Sequence, residues 1–257
     1  DENIFKDLSI KYILEKSNKI IENFEQNIFF NETQIFRKNS DNLNCKRHFQ
    51  VFNEFNIIPK YCFGCYKIQI NLKTVVDLIK LFLIFDKIKL KKNNIRKCMI
   101  ELRQNVGGNY KGYIYASSLN EAQKIMNKLN NDINIQNINL DKIEIKHGCT
   151  EFYTEYSLYK NIDRNVTDEI YKKEWNEIEE KFDQKHLIKE NEKERIYGKT
   201  LNKFNLPDFL IIKNWLLYAK IIGDESYKKI FNSSLMIDSL PQDQINKIIS
   251  RNKISLN

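Results

Sequence analysis

Proline and glycine are scarce in this chain, 3 and 7 residues out of 257, which excludes collagen-like repeats, proline-rich stalks and glycine-serine linkers. No apolar run is long enough to span a bilayer. The best candidate, Phe209 to Ile222, is cut by Lys213 and Lys220 and reads as a buried helix. Nothing near the amino end has the basic, apolar, small-residue order of a signal peptide, and Asp1 in place of methionine reads as the start of a processed or trimmed product. Internal repeats and heptads are lacking as well. The five cysteines are an odd number that does not suit a secreted disulfide framework. A cytoplasmic, reducing setting with no membrane is the expectation.

Arginine, the better fork for phosphate, occurs only as Arg37, Arg47, Arg96, Arg103, Arg164, Arg195 and Arg251, scattered along the chain. The formal charge of +8 therefore argues only weakly for a polyanionic partner. The abundance of Lys, Asn and Ile is equally that of an AT-rich coding sequence.

What is present suits a globular protein with one large core, or with one medium core plus a helical annex. Ile4, Leu8, Ile13, Ile20, Ile21 and Phe24 make one helical stripe, broken by the Asn-rich stretch at 39–44. From Tyr66 the pattern alternates, with Ile68 and Ile70 on one side and Lys67, Gln69 and Asn71 on the other. Thr74-Val-Val-Asp77 opens a helix whose buried face is Val75, Leu78, Ile79, Phe82 and Phe85. Arg96–Arg103 and Lys111–Ser117 alternate again and are joined by Val106-Gly-Gly-Asn109, which predicts a hairpin. Ser118-Leu-Asn-Glu121 opens a second helix, with Ala122, Ile125, Met126 and Leu129 on one face, and Ile143 and Ile145 mark a fourth strand.

Read in order, residues 62 to about 150 give β-α-β-β-α-β, so the fold class expected is α+β with a ferredoxin-like core. Three regions follow: a helical arm over 1–61, the ferredoxin-like core over 62–160, and a helical C-terminal annex over 161–257. The annex is predicted to hold helices over 166–196, 207–232 and 239–252, the last opened by Ser239-Leu-Pro-Gln242.

Cys45-Lys-Arg-His48 and Cys62-Phe-Gly-Cys65, separated by 13 residues, supply the Cys3His set that closes a tetrahedral structural zinc site, with Gly64 suiting a tight turn. The strand order expected of this fold, 4-1-3-2, brings Cys62 and Cys65 at the start of the first strand beside His147 and Cys149 at the end of the fourth. Cys98, near the start of the second strand, falls at the same end, although its simplest reading is a core residue. The amino end of the Ser118 helix lies there too and favours an anion. His147, Cys149 and Glu151 are the candidate base, nucleophile and carboxylate of an enzyme at that edge.

Lys111-Gly-Tyr113-Ile-Tyr115 on the third strand resembles the RNP1 element of the RNA recognition motif, in which rings on an open sheet face stack on bases. The resemblance implies contacts from Lys67, Arg103, Lys111, Tyr113 and Tyr115 with RNA or a nucleotide. The first strand has Ile68 where the companion element places an aromatic. Three functions thus stay open: a zinc-stabilised RNA- or nucleotide-interacting protein, a metal- or cysteine-dependent enzyme at the Cys62/Cys65/His147/Cys149 edge, and a docking subunit that meets a protein partner through its C-terminal helices.

Overall fold

The computed structural model describes residues 15, 19, 31–37, 43–92, 94–104, 106–162, 166–186, 205–230 and 242–255, the last four by backbone alone. The helical stripe expected over the first 28 residues and the Ser239 helix start lie outside the described residues. The architecture is α+β.

Five strands form one antiparallel sheet: β1 (Gln34–Arg37), β2 (Tyr66–Leu72), β3 (Arg96–Ile100), β4 (Tyr110–Ala116) and β5 (Leu140–His147), in the order β1-β3-β4-β2-β5. β1 is an edge strand that the helical-arm expectation did not contain; it pairs Ile35 with Cys98 and Arg37 with Arg96. The hairpin stands, but its first strand ends at Ile100, beyond which the Glu101 amide still donates to the Asn109 carbonyl at 2.8 Å and the Glu101 carboxylate takes Arg103 at 2.8 Å.

α2 (Val75–Lys87) and α3 (Leu119–Ile135) connect the strands and cover one face, with α1 (Cys45–Phe55) preceding the sheet. Both expected caps form. Thr74 Oγ1 accepts from the Asp77 amide at 3.2 Å and Ser118 Oγ from the Glu121 amide at 3.2 Å, satisfying donors that a helix start leaves free.

α2 is buried almost all round, beyond the single stripe the sequence suggested. The reason is α7 (Leu206–Ile222), which lies over it and inserts Phe209, Trp215 and Leu216 into the same core as Ile68, Ile70 and Ile114. α7 starts on a full capping box between Asn205 and Asp208, with Pro207 in its first turn, and stops at Gly223, whose φ of 79° suits glycine. Over 166–186 the expected 166–196 helix is instead α5 (Thr167–Ile170) and α6 (Lys173–Lys185), and its remainder lies outside the described residues. α6 belongs to a second, smaller core with α1 and the short helix α4 (Phe152–Glu155), built on Val51, Ile58, Phe63, Phe152, Trp175 and Phe182. α8 (Gln242–Ser255) closes the chain.

Buried cations tie these layers together. Arg37 of β1 reaches Asp86 of α2 at 2.9 Å and Asp208 of α7 at 2.6 Å. Arg96 points the same way and donates to the carbonyls of Phe85 and Ile88 at the end of α2, 2.8 and 2.6 Å away. Such pairs cost desolvation, and they hold only because every partner is in place.

Gly112 sits where α2 crosses the sheet. A Cβ there would lie 2.3 Å from Leu81 Cδ2 and 3.2 Å from Phe85 Cζ. Gly112→Ala is therefore expected to lose about 1–3 kcal/mol or more by overpacking, read as a lower midpoint in chemical denaturation. An unchanged midpoint would show that α2 can ride outward without cost.

Candidate functional site at the thiol-lined cleft

A 3-10 turn at Lys60–Gly64, set off by Pro59, carries Cys62 into the end of the sheet. Its last amide, that of Cys65, donates to the Cys62 carbonyl at 3.1 Å. The β2–β5 register sets Tyr66 opposite His147, and the Gly148 amide donates to the Cys65 carbonyl at 2.7 Å. That bond fixes the turn carrying Cys149 against Cys65. α1 then brings Cys45, its first residue, and His48 to the same place.

Cys45, His48, Cys62, Cys65 and Cys149 thus line one small cleft, with Tyr61 and Phe152 among its walls. Cys45 is exposed, Cys65 and Cys149 are half-buried, and Cys62 is buried. Burial pushes the Cys149 thiol up to about 11, although the nearby ammoniums of Lys67 and Lys97 pull the other way. Burial, reinforced by Cys149 and Cys45, takes Cys65 up to about 12, and Cys62 is raised further still. All three are protonated thiols at neutral pH.

Two residues expected here lie elsewhere. Cys98 is in the main core, on the same face as Ile100 and opposite Gly112. His147 is 1% exposed and stacked between Tyr66 and Tyr159, with its ring nitrogens 2.7 Å from the Tyr159 carbonyl and 2.8 Å from that of Phe63. It is a structural joint and not a free base. Glu151 is half-exposed and lies 3.6 Å from Arg103.

The zinc expectation is corrected. Among the described residues, no three His, Cys, Asp or Glu side chains are grouped so as to hold a metal ion. His48 shows why its pair does not act as a ligand pair: its ring lies flat on Tyr61, centroids 5.2 Å apart, and bonds the backbone of Leu43. Burial, then the Arg47 charge, takes its pKa down to about 4.

The RNA-binding expectation finds no support either. Lys67, Tyr113 and Tyr115 do share a sheet face, as the alternation implied. Tyr113 is only 5% exposed and Lys111 is 0% exposed, its ammonium held 3.0 Å from Glu101, whereas stacking on bases needs open rings. The glycine of the RNP1-like stretch is explained by α2 packing on Gly112. The anion position at the Ser118 helix is filled by the chain itself, since Glu121 accepts from the Ser117 amide at 2.8 Å. On the C-terminal helices the exposed large apolar residues among the described ones are Leu206 and Ile249, which stand apart and make no docking patch there. No helix among the described residues is long and apolar enough to cross a membrane.

The sequence singled out neither Tyr159 nor Arg251. Tyr159 donates to the Cys62 carbonyl at 2.7 Å and so supports the cleft floor; no spacing links it to residue 62. Gly148 presses on it: with φ at 40°, a Cβ there would lie 1.8 Å from the Tyr159 hydroxyl oxygen.

Gly148→Ala is expected to destabilise the fold by about 3 kcal/mol or more through that clash, and to speed alkylation of Cys62 by opening its floor; a variant as stable as the parent would refute the tight seat. A raised thiol pKa keeps the reactive thiolate rare until the pH approaches it. Iodoacetamide labelling of Cys149 is therefore expected to climb about tenfold per pH unit with no plateau below about pH 10. A plateau near neutrality would show a stabilised thiolate instead.

No protein-family model, curated protein or solved structure matches this chain.

Proposed function

We propose that the chain is a thiol-dependent protein that exchanges electrons with disulfides at the cleft formed by Cys45, Cys62, Cys65 and Cys149. The observation that carries this reading is the meeting of four thiols from three separate segments at one cleft, with Cys45 exposed and Cys65 and Cys149 half-buried. Packing accounts for Cys62, buried in the second core as Cys98 is in the first, but not for the exposed Cys45 or for the half-buried Cys65 beside it.

The step balances without another cofactor. Cys149, as thiolate, attacks one sulfur of a substrate disulfide, forms a mixed disulfide and expels the other sulfur as a thiolate. Cys65 attacks the Cys149 sulfur, closes a Cys65–Cys149 disulfide and releases the second substrate sulfur. Two electrons pass from protein to substrate, and the two protons lost by the protein thiols end on the released thiols.

The direction of this exchange follows from electrostatics. Stabilising a thiolate favours the reduced form of a dithiol and makes its disulfide oxidising. Here burial works against the thiolates of Cys62, Cys65 and Cys149, so no stabilised thiolate draws the couple toward the oxidising end. The strand order β5-β2-β4-β3, with both connecting helices on one face, supports placing the core among ferredoxin-like folds, and a reducing couple suits the cytoplasm.

The test is to equilibrate the full chain in dithiothreitol redox buffers, map disulfides by mass spectrometry and assay metals by elemental analysis. One intramolecular disulfide between cleft cysteines is expected, with Cys98 free, a midpoint near the reducing end at about −270 mV or lower, and loss of the bond in Cys65→Ser and Cys149→Ser. Thiols that stay free at every potential, or a stoichiometric metal ion that blocks their oxidation, would overturn the reading.

A further inference from the structure

The sheet face turned away from α2 and α3 carries more cations than its carboxylates can neutralise. Glu101 is taken by Arg103 at 2.8 Å and Lys111 at 3.0 Å. Glu144 is taken by Lys142 at 2.7 Å and Lys146 at 3.0 Å, and Glu151 lies 3.6 Å from Arg103. Lys67 and Lys97 have no carboxylate within ion-pair distance among the described residues.

What these two lysines do have is neutral company. Lys67 Nζ donates to Thr150 Oγ1 at 3.4 Å and Lys97 Nζ to Gln34 Oε1 at 3.1 Å. Both ammoniums sit at the ring of Tyr113, 5.9 and 5.3 Å from its centroid. Lys67 is 9% exposed and Lys97 half-buried. Two ammoniums stripped of much of their water and facing one ring repel each other. Burial takes Lys97 down to about 8, and Lys67 is the charge that adds most to this.

We propose that Lys67 and Lys97, both beside the Tyr113 ring, bind an oxyanion, the carboxylate or phosphate group of a small ligand. An oxyanion there would accept charge-assisted hydrogen bonds from both lysines and remove their repulsion. The exposed Thr150 hydroxyl marks the entrance. Compactness is set by depth and rim: Lys67 lies too deep for a polymer backbone, and Glu144 and Glu151 stand at the border. No cysteine is among its ligands, although Lys67 and Lys97 lie close enough to Cys149 to act on its thiol, and the proposal does not depend on the thiol reading.

The test is calorimetric titration of the full chain with sodium phosphate and, in a second arm, sodium succinate, each against sodium chloride of equal ionic strength. Saturable binding of one ion per chain is expected in at least one arm, and the arm that responds identifies the group. Lys67→Met and Lys97→Met should each weaken it by about tenfold or more, while Lys142→Met, which removes an ammonium held by Glu144, should leave it unchanged. In chloride, Lys97→Met should melt at or above the parent temperature, since an uncompensated charge is gone. Absence of saturable binding in both arms, equal binding by the variants, or a clear drop in the melting temperature of Lys97→Met would overturn the proposal.

Discussion

The cleft end of the molecule depends on how His147 is seated. The last residue of β5 places its ring between Tyr66 and Tyr159, at 4.8 and 4.2 Å and within 22° of parallel to either. Each ring nitrogen faces a carbonyl oxygen. A neutral imidazole has one N–H to donate, and burial lowers the pKa of His147 against the pull of those carbonyls. The joint is therefore held by stacking on both faces and by one hydrogen bond, with the second carbonyl kept close by packing alone. Both carbonyls belong to the second core, so this one side chain fastens that core to the sheet. The Tyr153 hydroxyl adds to the fastening by donating to the His147 carbonyl.

From this seat the cleft follows. With Phe63 and Tyr159 fixed against His147, the 3-10 turn and the 148–152 turn are held face to face, and Cys62, Cys65 and Cys149 have nowhere else to point. α1 completes the cleft because α6 anchors it: Arg47 pairs with Glu179 and, at 2.7 Å, with Asp183, and Glu179 also accepts from the Lys60 amide at 2.8 Å. The same carboxylate thus positions the helix that brings Cys45 and the turn that brings Cys62.

The parts of this legible in the sequence are those decided locally or by register. The N-caps at Thr74 and Ser118, alternation in β2 and β4 and the glycine hairpin each state their structure within a few residues. The meeting of Cys65 with Cys149 was legible because the strand order sets the start of β2 against the end of β5. Cys98 could have been assigned from its parity alone, sharing a face with Ile100. β1 was not legible: Gln34–Arg37 is four residues long and draws its stability from pairing with a strand some sixty residues away. Nor was the burial of Tyr113, since alternation gives the face of a sheet and not its exposure. The two histidines misled for one reason. Spacing shows that an imidazole can reach a site, whereas its role depends on which neighbours claim its nitrogens.

The scattered arginines, which weighed against a phosphate-binding surface, have a common explanation in the fold. Arg37 joins β1 to α2 and α7, Arg47 joins α1 to α6, and Arg96 caps the carbonyl end of α2. Arg251 nails α8 to the loop after β3, donating to the carbonyls of Glu101, Arg103, Val106 and Gly108. Each guanidinium spreads its donors over several fixed acceptors, which an ammonium cannot match in geometry, so each is spent inside the molecule. Arg103, though half-exposed, is held by Glu101 and Glu151. The arginines among the described residues are thus engaged within the fold, and on the sheet face, among the described residues, the lysines without a carboxylate are the pair beside Tyr113.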